Sequence, residues 1–155
     1  MDDIDRAIIA ELMADGRISN VELAERVRLT PAPCLRRVQR LEAEGVVKGY
    51  RAVVDPAAIG RGFEVFIDVV LTNDLASVSV FEETLAGLDE VVEVHRLFGT
   101  PDYFVRVAVA DLAAFERFLT EHVLPLPGIQ KVASRFTMKT VKAAEARPAR
   151  PAERR

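Results

Sequence analysis

The organisation of the chain follows from one predicted helix, encoded by Thr30-Pro31-Ala32-Pro33-Cys34-Leu35-Arg36-Arg37-Val38-Gln39-Arg40-Leu41-Glu42-Ala43-Glu44-Gly45. Cys34, Val38 and Leu41 recur at helical spacing and form an apolar stripe. A second side of the same helix is basic and poor in acids, and it carries Pro33, Arg36, Arg37 and Arg40. Such a face indicates either a solvated surface or contact with nucleic acid, and this stretch alone favours neither.

Both ends of this helix are marked in the sequence. Thr30 can cap the first turn through its hydroxyl, while Pro31 and Pro33 fit positions whose backbone N–H groups lack partners inside the helix. Gly45 is expected to end the helix, because glycine readily adopts the left-handed conformation found just beyond many helix C-termini. The predicted helix therefore lies between Thr30 and Gly45.

Two shorter helices are predicted before it. Asp2 or Asp3 can cap the first, whose apolar residues recur at helical spacing until the break at Asp15-Gly16. Ser19 and Glu22 have the spacing of a capping box, which predicts the start of the second helix. A short helix, a tight turn and a helix with a basic outer face are typical of a helix-turn-helix, which places its recognition helix in the major groove of DNA.

The formal net charge of −3 conceals an uneven distribution. Between Arg26 and Arg51, seven lysine or arginine residues stand against two acids, whereas between Glu64 and Glu121 three basic residues stand against twelve acids. A DNA duplex would approach the first region and be repelled by the second. The charge pattern thus favours nucleic-acid contact through the N-terminal part of the chain.

A short β-hairpin, or wing, is predicted after the basic helix, because Val46–Val54 is rich in β-forming residues and is broken by Gly49. Lys48 and Arg51 in this segment are candidates for contact with backbone phosphate. Asp55–Gly60 ends the regular pattern, since proline and glycine interrupt elements. We therefore predict a helix-turn-helix domain over residues 1–54, a linker over 55–62, a second domain over 63–142 and a disordered tail over 143–155.

The second domain is predicted from the spacing of its apolar residues. Strands are expected at 63–71, 91–98, 103–109 and 129–141, with helices capped at Ser79 and Asp111. This order is typical of a ferredoxin-like βαββαβ fold, so the whole chain is predicted to be α+β. Phe66 and Val70 make both phases of the first strand apolar, which indicates that a second copy covers the open face of the sheet and that the protein is at least a dimer.

Composition argues against several classes of protein. The 155 residues are 50% hydrophobic and 29% charged, as in a soluble globular protein, and no apolar run approaches the roughly 20 residues that span a bilayer. Met1–Asp5 lacks the features of a signal peptide, so a cytoplasmic protein without membrane contact is expected.

Cys34 is the single cysteine and the two histidines lack ligand spacing, so neither a disulfide nor a metal site is predicted. No constellation of nucleophile, base or phosphate-binding loop appears, so we predict no enzyme, no catalytic residue and no cofactor.

Many spaced positions match one known family in order. They comprise Gly16–Ala24, Thr30–Val38, Leu41-Glu42, Gly45–Val47, His95, Gly99, Asp102-Tyr103, Leu126–Gly128 and Val141-Lys142. Up to Lys142 the chain therefore resembles the Lrp/AsnC family of prokaryotic transcription regulators. The resemblance implies a helix-turn-helix joined to a βαββαβ domain that senses amino acids, in a protein that forms dimers and often octamers.

The resemblance also implies functional residues. The groove-reading segment would supply Thr30, Pro31, Ala32, Pro33, Arg36, Arg37 and Arg40. An effector pocket between subunits would include Gly99, Thr100, Pro101, Asp102, Tyr103 and, on the last strand, Ser134. Arg28 departs from the family pattern, because the turn between the helices usually carries glycine, which adopts the required conformation at lower cost.

Two functions are compatible with these features. The first is a sequence-specific transcription regulator, acting in the cytoplasm at the nucleoid, whose assembly and DNA binding respond to a small amino acid. The second is an architectural DNA-binding protein, since the same basic helix and multimer would serve it without a ligand. For Asp102, the residues alone favour a turn residue that bonds to its own backbone, and only the resemblance favours contact with a ligand.

Overall fold

The computed structural model describes residues 1–72 and 74–141, which form two compact units. The first unit contains Met1–Val53 and the second begins at Val54. The tail predicted over 143–155 lies outside the described residues. Within the described ranges, no helix is long and apolar enough to cross a bilayer.

The first unit contains the predicted helices, α1 (Asp3–Ala14), α2 (Asn20–Arg26) and α3 (Pro31–Ala43). Their apolar stripes meet in one small core, whose buried members are Ile8, Leu23, Ala24, Val27, Cys34 and Leu41. Burial of Cys34 and Leu41, with Val38 packed beside them, confirms the apolar stripe predicted for α3. The basic side of α3 therefore faces away from this core.

The helix starts agree with the sequence in two cases and differ in one. Asp2 caps α1 in a reciprocal capping box with Asp5, and the Ser19 hydroxyl accepts a hydrogen bond from the backbone N–H of Glu22 at 3.2 Å. Thr30 is the N-cap residue of α3, but its side chain makes no capping hydrogen bond, so that prediction was wrong. The third helical position is Pro33, which has no N–H group to donate to the Thr30 hydroxyl.

The turn between α2 and α3 carries the strain expected at Arg28. Its φ angle is 57°, in the left-handed region that favours glycine. The next backbone N–H, of Leu29, donates to the carbonyl of Ala24 at 2.8 Å and closes the end of α2. The chain thus turns sharply enough to place α3 across α2.

The hairpin predicted over Val46–Val54 does not form, and among the described residues no strand precedes the second unit. The N–H groups of Val46 and Val47 both donate to the carbonyl of Leu41, at 2.9 and 3.1 Å. They satisfy a carbonyl in the last turn of α3, where intrahelical donors have run out, instead of pairing across strands. Tyr50 returns to the same helix through a 2.9 Å hydrogen bond from its hydroxyl to Glu42.

The second unit is the predicted βαββαβ domain. Its elements are β1 (Phe63–Leu71), α4 (Leu75–Ala86), β2 (Val91–Arg96), β3 (Tyr103–Val109), α5 (Leu112–Phe118), which continues as a π-helical turn, Leu119–Val123, and β4 (Ile129–Phe136). The strands form one antiparallel sheet in the order β2-β3-β1-β4. The predicted α+β class and ferredoxin-like topology are therefore confirmed.

Several boundaries predicted in this unit were wrong. The helix α4 begins at Leu75 and is capped by Asp74, whose carboxylate accepts from the N–H of Ser77 at 2.8 Å, so Ser79 lies inside the helix. Strand β2 ends at Arg96 and β4 ends at Phe136, earlier than predicted. Apolar residues continue past both strand ends, where no neighbouring strand is available to pair with them. The apolar pattern alone therefore overestimated the lengths of both strands. The cap predicted at Asp111 is confirmed.

The two faces of the sheet differ. Alternate residues of β1, including Val65, Ile67 and Val69, are buried against α4 and α5. The opposite face, here called the open face, carries the other phase of β1, where the Phe66 ring stacks on Phe104 with 5.5 Å between ring centroids. The apolar character predicted for both phases of β1 is thus present, and Phe66 is only partly covered within one chain.

Candidate functional site

The basic side of α3 forms a shallow cleft of about 370 Å³, lined by Pro33, Arg36, Arg37 and Arg40. These residues stand at i, i+3, i+4 and i+7, so one face of a regular helix brings them together. We call this feature the arginine cleft. It gathers three guanidinium groups. In proteins generally, a guanidinium group can bind phosphate oxygens and guanine edges through paired N–H donors.

The arginines of the cleft differ in their partners. Arg37 donates through one nitrogen to carboxylate oxygens of Asp2 and Asp5, at 2.7 and 2.8 Å. Arg40 donates to the second oxygen of Asp5 at 2.6 Å. Arg36 is exposed, and the ion pairs found in the described part of the chain do not include it. Arg36 is therefore the arginine least committed to the protein itself.

Asp5 is the unexpected member of this arrangement, because its side chain is only 2% exposed. The backbone N–H of Asp2 donates to it, and this bond, together with Arg37 and Arg40, holds the pKa of the Asp5 carboxyl well below its ordinary value, against the opposing effect of burial. Sequence reasoning missed Asp5. A signal existed, because Asp5 shares a helical face with Ile8 and Leu12, and a buried acid needs a partner.

The other residues predicted to contact DNA are exposed. Around the start of α3 these are Thr30, Pro31 and Ala32, and beyond its end they are Lys48 and Arg51. All of them belong to the first unit, as does the arginine cleft. Every residue predicted to contact DNA is therefore exposed or partly exposed to solvent.

The predicted effector turn, Gly99–Asp102, connects β2 to β3. Gly99 has a φ angle of 117°, and a side chain at this position would have no atom within 4 Å, so the turn leaves open space above its backbone. Asp102 is tied to the neighbouring strand, because its carboxylate accepts from the N–H of Leu71 at 2.9 Å. Its carbonyl also accepts from the N–H of Leu97 at 2.7 Å, closing the turn.

Tyr103 does not lie on the surface of this turn. Its ring is buried against Phe81, with 4.7 Å between centroids, and its hydroxyl donates to Glu82 at 2.5 Å. Burial, reinforced by the bond to Glu82, raises the pKa of Tyr103 to about 12. Tyr103 thus supports the turn from the helix-covered side of the sheet.

Ser134 lies away from the turn within one chain. It pairs with Ile67 on β4, the edge strand at the opposite side of the sheet from β2. The antiparallel register places it on the same face as Ile67, beneath the helices. The structure therefore brings Gly99, Thr100, Pro101 and Asp102 together, but not Ser134.

A separate cavity of about 370 Å³ was not anticipated from the sequence. Its lining includes Arg61, Asp89, Arg117, Phe118, Glu121 and His122. Within residues 1–72 and 74–141, no group of three or more His, Cys, Asp or Glu side chains is arranged to hold a metal ion.

Comparison with known proteins connects both units to transcription regulators. A model of winged helix-turn-helix DNA-binding domains matches residues 1–48, and a model of the Lrp/AsnC ligand binding domain matches residues 64–146. The chain is 40% identical over 143 residues to the leucine-responsive regulatory proteins of Escherichia coli K12 and Klebsiella pneumoniae, covering 92% of this chain and 87% of each of those proteins.

Solved structures agree with this match. A transcriptional regulator from Neisseria meningitidis, crystallised as a complex with L-Met, has a TM-score of 0.89 and 34% identity, covering 92% of this chain and 93% of its own. An AsnC family regulator from Agrobacterium tumefaciens has a TM-score of 0.88 and 32% identity, with coverage of 96% and 97%. These similarities extend through both units.

Proposed function

The chain belongs to the Lrp/AsnC family of transcription regulators, and from that premise we propose that its first unit reads a DNA sequence while its second senses a small amino acid. The observation that carries the proposal is the arginine cleft, which lies on the outer face of α3 in a helix-turn-helix. Such a regulator would act in the cytoplasm, at the nucleoid. Its place in this family also favours regulation over catalysis.

In the proposed complex α3 lies in the major groove. Its first turn and its basic face contact base edges and the flanking backbone, through Thr30, Pro31, Ala32, Pro33, Arg36, Arg37 and Arg40. Lys48 and Arg51 lie beyond the helix and contact phosphate. A dimer would present two copies of α3 to successive major grooves.

Selection from a pool of random duplexes tests this function. The full chain is expected to enrich a partly palindromic site whose half-sites are separated by about one helical turn or a multiple of it. Enrichment of no sequence above the starting pool would contradict sequence-specific reading. Repeating the selection with amino acids separates a ligand-responsive regulator from an architectural protein, whose binding would not change.

We propose that the effector binds at the turn of Gly99, Thr100, Pro101 and Asp102. The open space above Gly99 admits a ligand to the backbone, and the Asp102 carboxylate, of which one oxygen accepts from Leu71, can pair with an α-ammonium group. Tyr103 contributes by supporting the turn. Ser134 would take part only from a copy in a further assembly of dimers, since it lies on the helix-covered face, away from both the open face and the turn of its own chain. The neighbour crystallised with L-Met supports an amino acid as the ligand class.

Asp102→Asn is expected to weaken amino-acid binding on the order of tenfold while leaving the unliganded protein nearly as stable as wild type. Asparagine keeps an oxygen that accepts the Leu71 N–H but loses the charge that pairs with the ammonium. Asp102→Ala should lose both the hydrogen bond from Leu71 and the charge, so comparing it with Asp102→Asn separates the two contributions. Thermal shifts with L-methionine and L-leucine measure the effect, because a ligand that binds only the folded state raises its stability. Equal shifts for wild type and Asp102→Asn would make Asp102 a turn residue only.

We also propose that the open face joins two copies into a homodimer, and that dimers assemble further, as the family resemblance to octamers suggests. The stacked rings of Phe66 and Phe104 form its apolar centre. Ion pairs surround them, with Arg106 bonded to Glu64 at 3.0 Å and Arg135 to Asp68 at 2.6 Å. An apolar centre with a polar rim is the usual anatomy of a protein interface.

Phe66→Glu in the full chain is expected to dissociate the dimer, because it removes the apolar ring that stacks on Phe104 and places a charged group in the centre of the proposed interface. Val80→Glu is the control, since Val80 is 42% exposed on α4 and lies outside that interface. Light scattering gives the mass of each variant. A Phe66→Glu protein with the mass of wild type would show that the open face is not the interface.

A further inference from the structure

We infer that Asp5, assisted by Asp2, positions Arg37 and Arg40 of α3 for contact with DNA. Two acids at the start of α1 would thereby influence the sequence specificity of α3. The inference rests on the proposed function, because it concerns how the arginine cleft reads a duplex. Asp5 and Asp2 touch no DNA in this arrangement, and they act through Arg37 and Arg40.

The geometry divides the Asp5 carboxylate between two guanidinium groups. Its Oδ1 accepts from Arg37 at 2.8 Å, and its Oδ2 accepts from Arg40 at 2.6 Å and from the backbone N–H of Asp2 at 3.0 Å. Asp2 completes the network, since its Oδ1 accepts from the N–H of Asp5 at 2.9 Å and its Oδ2 from Arg37 at 2.7 Å. The same carboxylates that fix the start of α1 therefore fix two side chains of α3.

The network holds the arginines without covering them. The side chain of Asp5 is 2% exposed, whereas those of Arg37 and Arg40 are 27% and 47% exposed. Arg37 directs a single nitrogen, Nη1, at both acids, and its Nε and Nη2 make no hydrogen bond within the described residues. Arg37 and Arg40 both line the arginine cleft. The Asp5 carboxylate is thus buried behind the two arginines, and Arg37 keeps two nitrogens available to donate to a bound duplex.

Two opposing effects on DNA binding follow. The acids neutralise part of the cationic face, which lowers affinity for any phosphate backbone and therefore for every sequence. They also hold long side chains in one conformation, which reduces the entropy lost when those side chains meet base edges in register. Together these effects raise the ratio of specific to non-specific affinity.

Asp5→Asn tests the inference, with Asp3→Asn as the matched control. Both changes remove one negative charge from the first turn of α1, but Asp3 is 93% exposed and pairs with Arg6 instead of the arginine cleft. Affinities of the full chain for its selected duplex and for a scrambled duplex are measured across a range of salt concentrations. Folding of each variant is checked by circular dichroism.

Asp5→Asn is expected to bind the scrambled duplex more tightly and to steepen the salt dependence by about one phosphate contact. The specificity ratio should fall roughly tenfold, which is the effect of losing one well-oriented bidentate contact. Asp3→Asn should leave the specificity ratio at its wild-type value. A purely structural role would lower thermal stability without changing that ratio in the folded protein.

Asp2→Asn decides the question if Asp5→Asn does not fold, because asparagine is as good an N-cap as aspartate. Its one oxygen can keep the cap, while the charge and the acceptor that face Arg37 are lost. It should shift the specificity ratio in the same direction by a smaller factor. If the Asp2 and Asp5 variants have the same specificity ratio as Asp3→Asn, the inference is wrong while the proposed function stands. Wild-type protein that prefers no sequence overturns the proposed function, and the inference with it.

Discussion

Gly128→Ala is expected to destabilise the second unit by on the order of 2–5 kcal/mol, the sum of left-handed backbone strain and overpacking. The φ angle of Gly128 is 79°. A Cβ atom there would lie 2.6 Å from the Thr72 hydroxyl and 2.7 Å from the Cβ of Ser77. Ser77 is itself buried, in the first turn of α4, so it has little room to move.

Gly60→Ala is the matched control for this prediction. Its φ angle of 72° imposes nearly the same backbone strain, but a Cβ atom at Gly60 would have no neighbour within 4 Å. We expect a loss of about 1–2 kcal/mol there, from the backbone alone. Calorimetry of both full-length variants compares the two effects, and equal losses would show that the close approach at Gly128 is relieved at no cost.

The position of Gly128 explains why its replacement should matter. The carbonyl of Gly128 accepts from the N–H of Thr72 at 2.8 Å, just beyond the end of β1 and just before β4. Ile129 then pairs with Leu71 as the first rung between these strands. A shift of Gly128 would therefore disturb the attachment of the edge strand β4 to the sheet.

Periodicity predicted the fold where an element buries one face. The alternation across β1 and the helical spacing of Phe81 and Leu85 report directly which side chains enter the core. The segment Val46–Val54 shows the limit of that reasoning. Its β-forming residues have no adjacent strand to pair with, and the nearest unsatisfied carbonyl belongs to Leu41 of α3. Val46 and Val47 therefore close the end of α3 instead of starting a hairpin.

The candidate DNA site was predicted in outline but not in its internal connections. Helical spacing alone places Arg36, Arg37 and Arg40 on one face. Arg37 pairs with Asp2 and with Asp5, which precedes it by 32 residues, and no local pattern relates these acids to the arginine. A pairing of this kind depends on how α1 crosses α3, and tertiary packing decides that angle.

The effector site illustrates a different limit. The turn of Gly99–Asp102 was recognisable from its turn-forming residues, but the direction of each side chain was not. Tyr103 follows the alternation of β3 and points into the core, so its place beside the turn in sequence says little about contact with a ligand. Ser134 likewise depends on which edge of the sheet β4 occupies.

Arg36→Ala is expected to weaken binding to the selected duplex by about 1–3 kcal/mol, or roughly 5- to 150-fold, for each half-site in which its guanidinium contacts a base edge. Arg36 is better suited to this test than Arg37. It is exposed, and the ion pairs of the described residues leave it out, whereas Arg37 is held by Asp2 and Asp5. Replacement of Arg37 would disturb α1 as well as DNA binding, so Arg36 gives the cleaner test.

Lys48→Ala provides the contrast that identifies base reading. Lys48 is exposed beyond the end of α3, where a single ammonium group can neutralise phosphate but cannot form the paired contact of a guanidinium. Its loss should weaken selected and scrambled duplexes alike and reduce the salt dependence by about one phosphate contact. Arg36→Ala should instead weaken the selected duplex far more than the scrambled one. If gel-shift titrations give both variants the same uniform loss, Arg36 contacts phosphate and the base-reading residue must be sought elsewhere on α3.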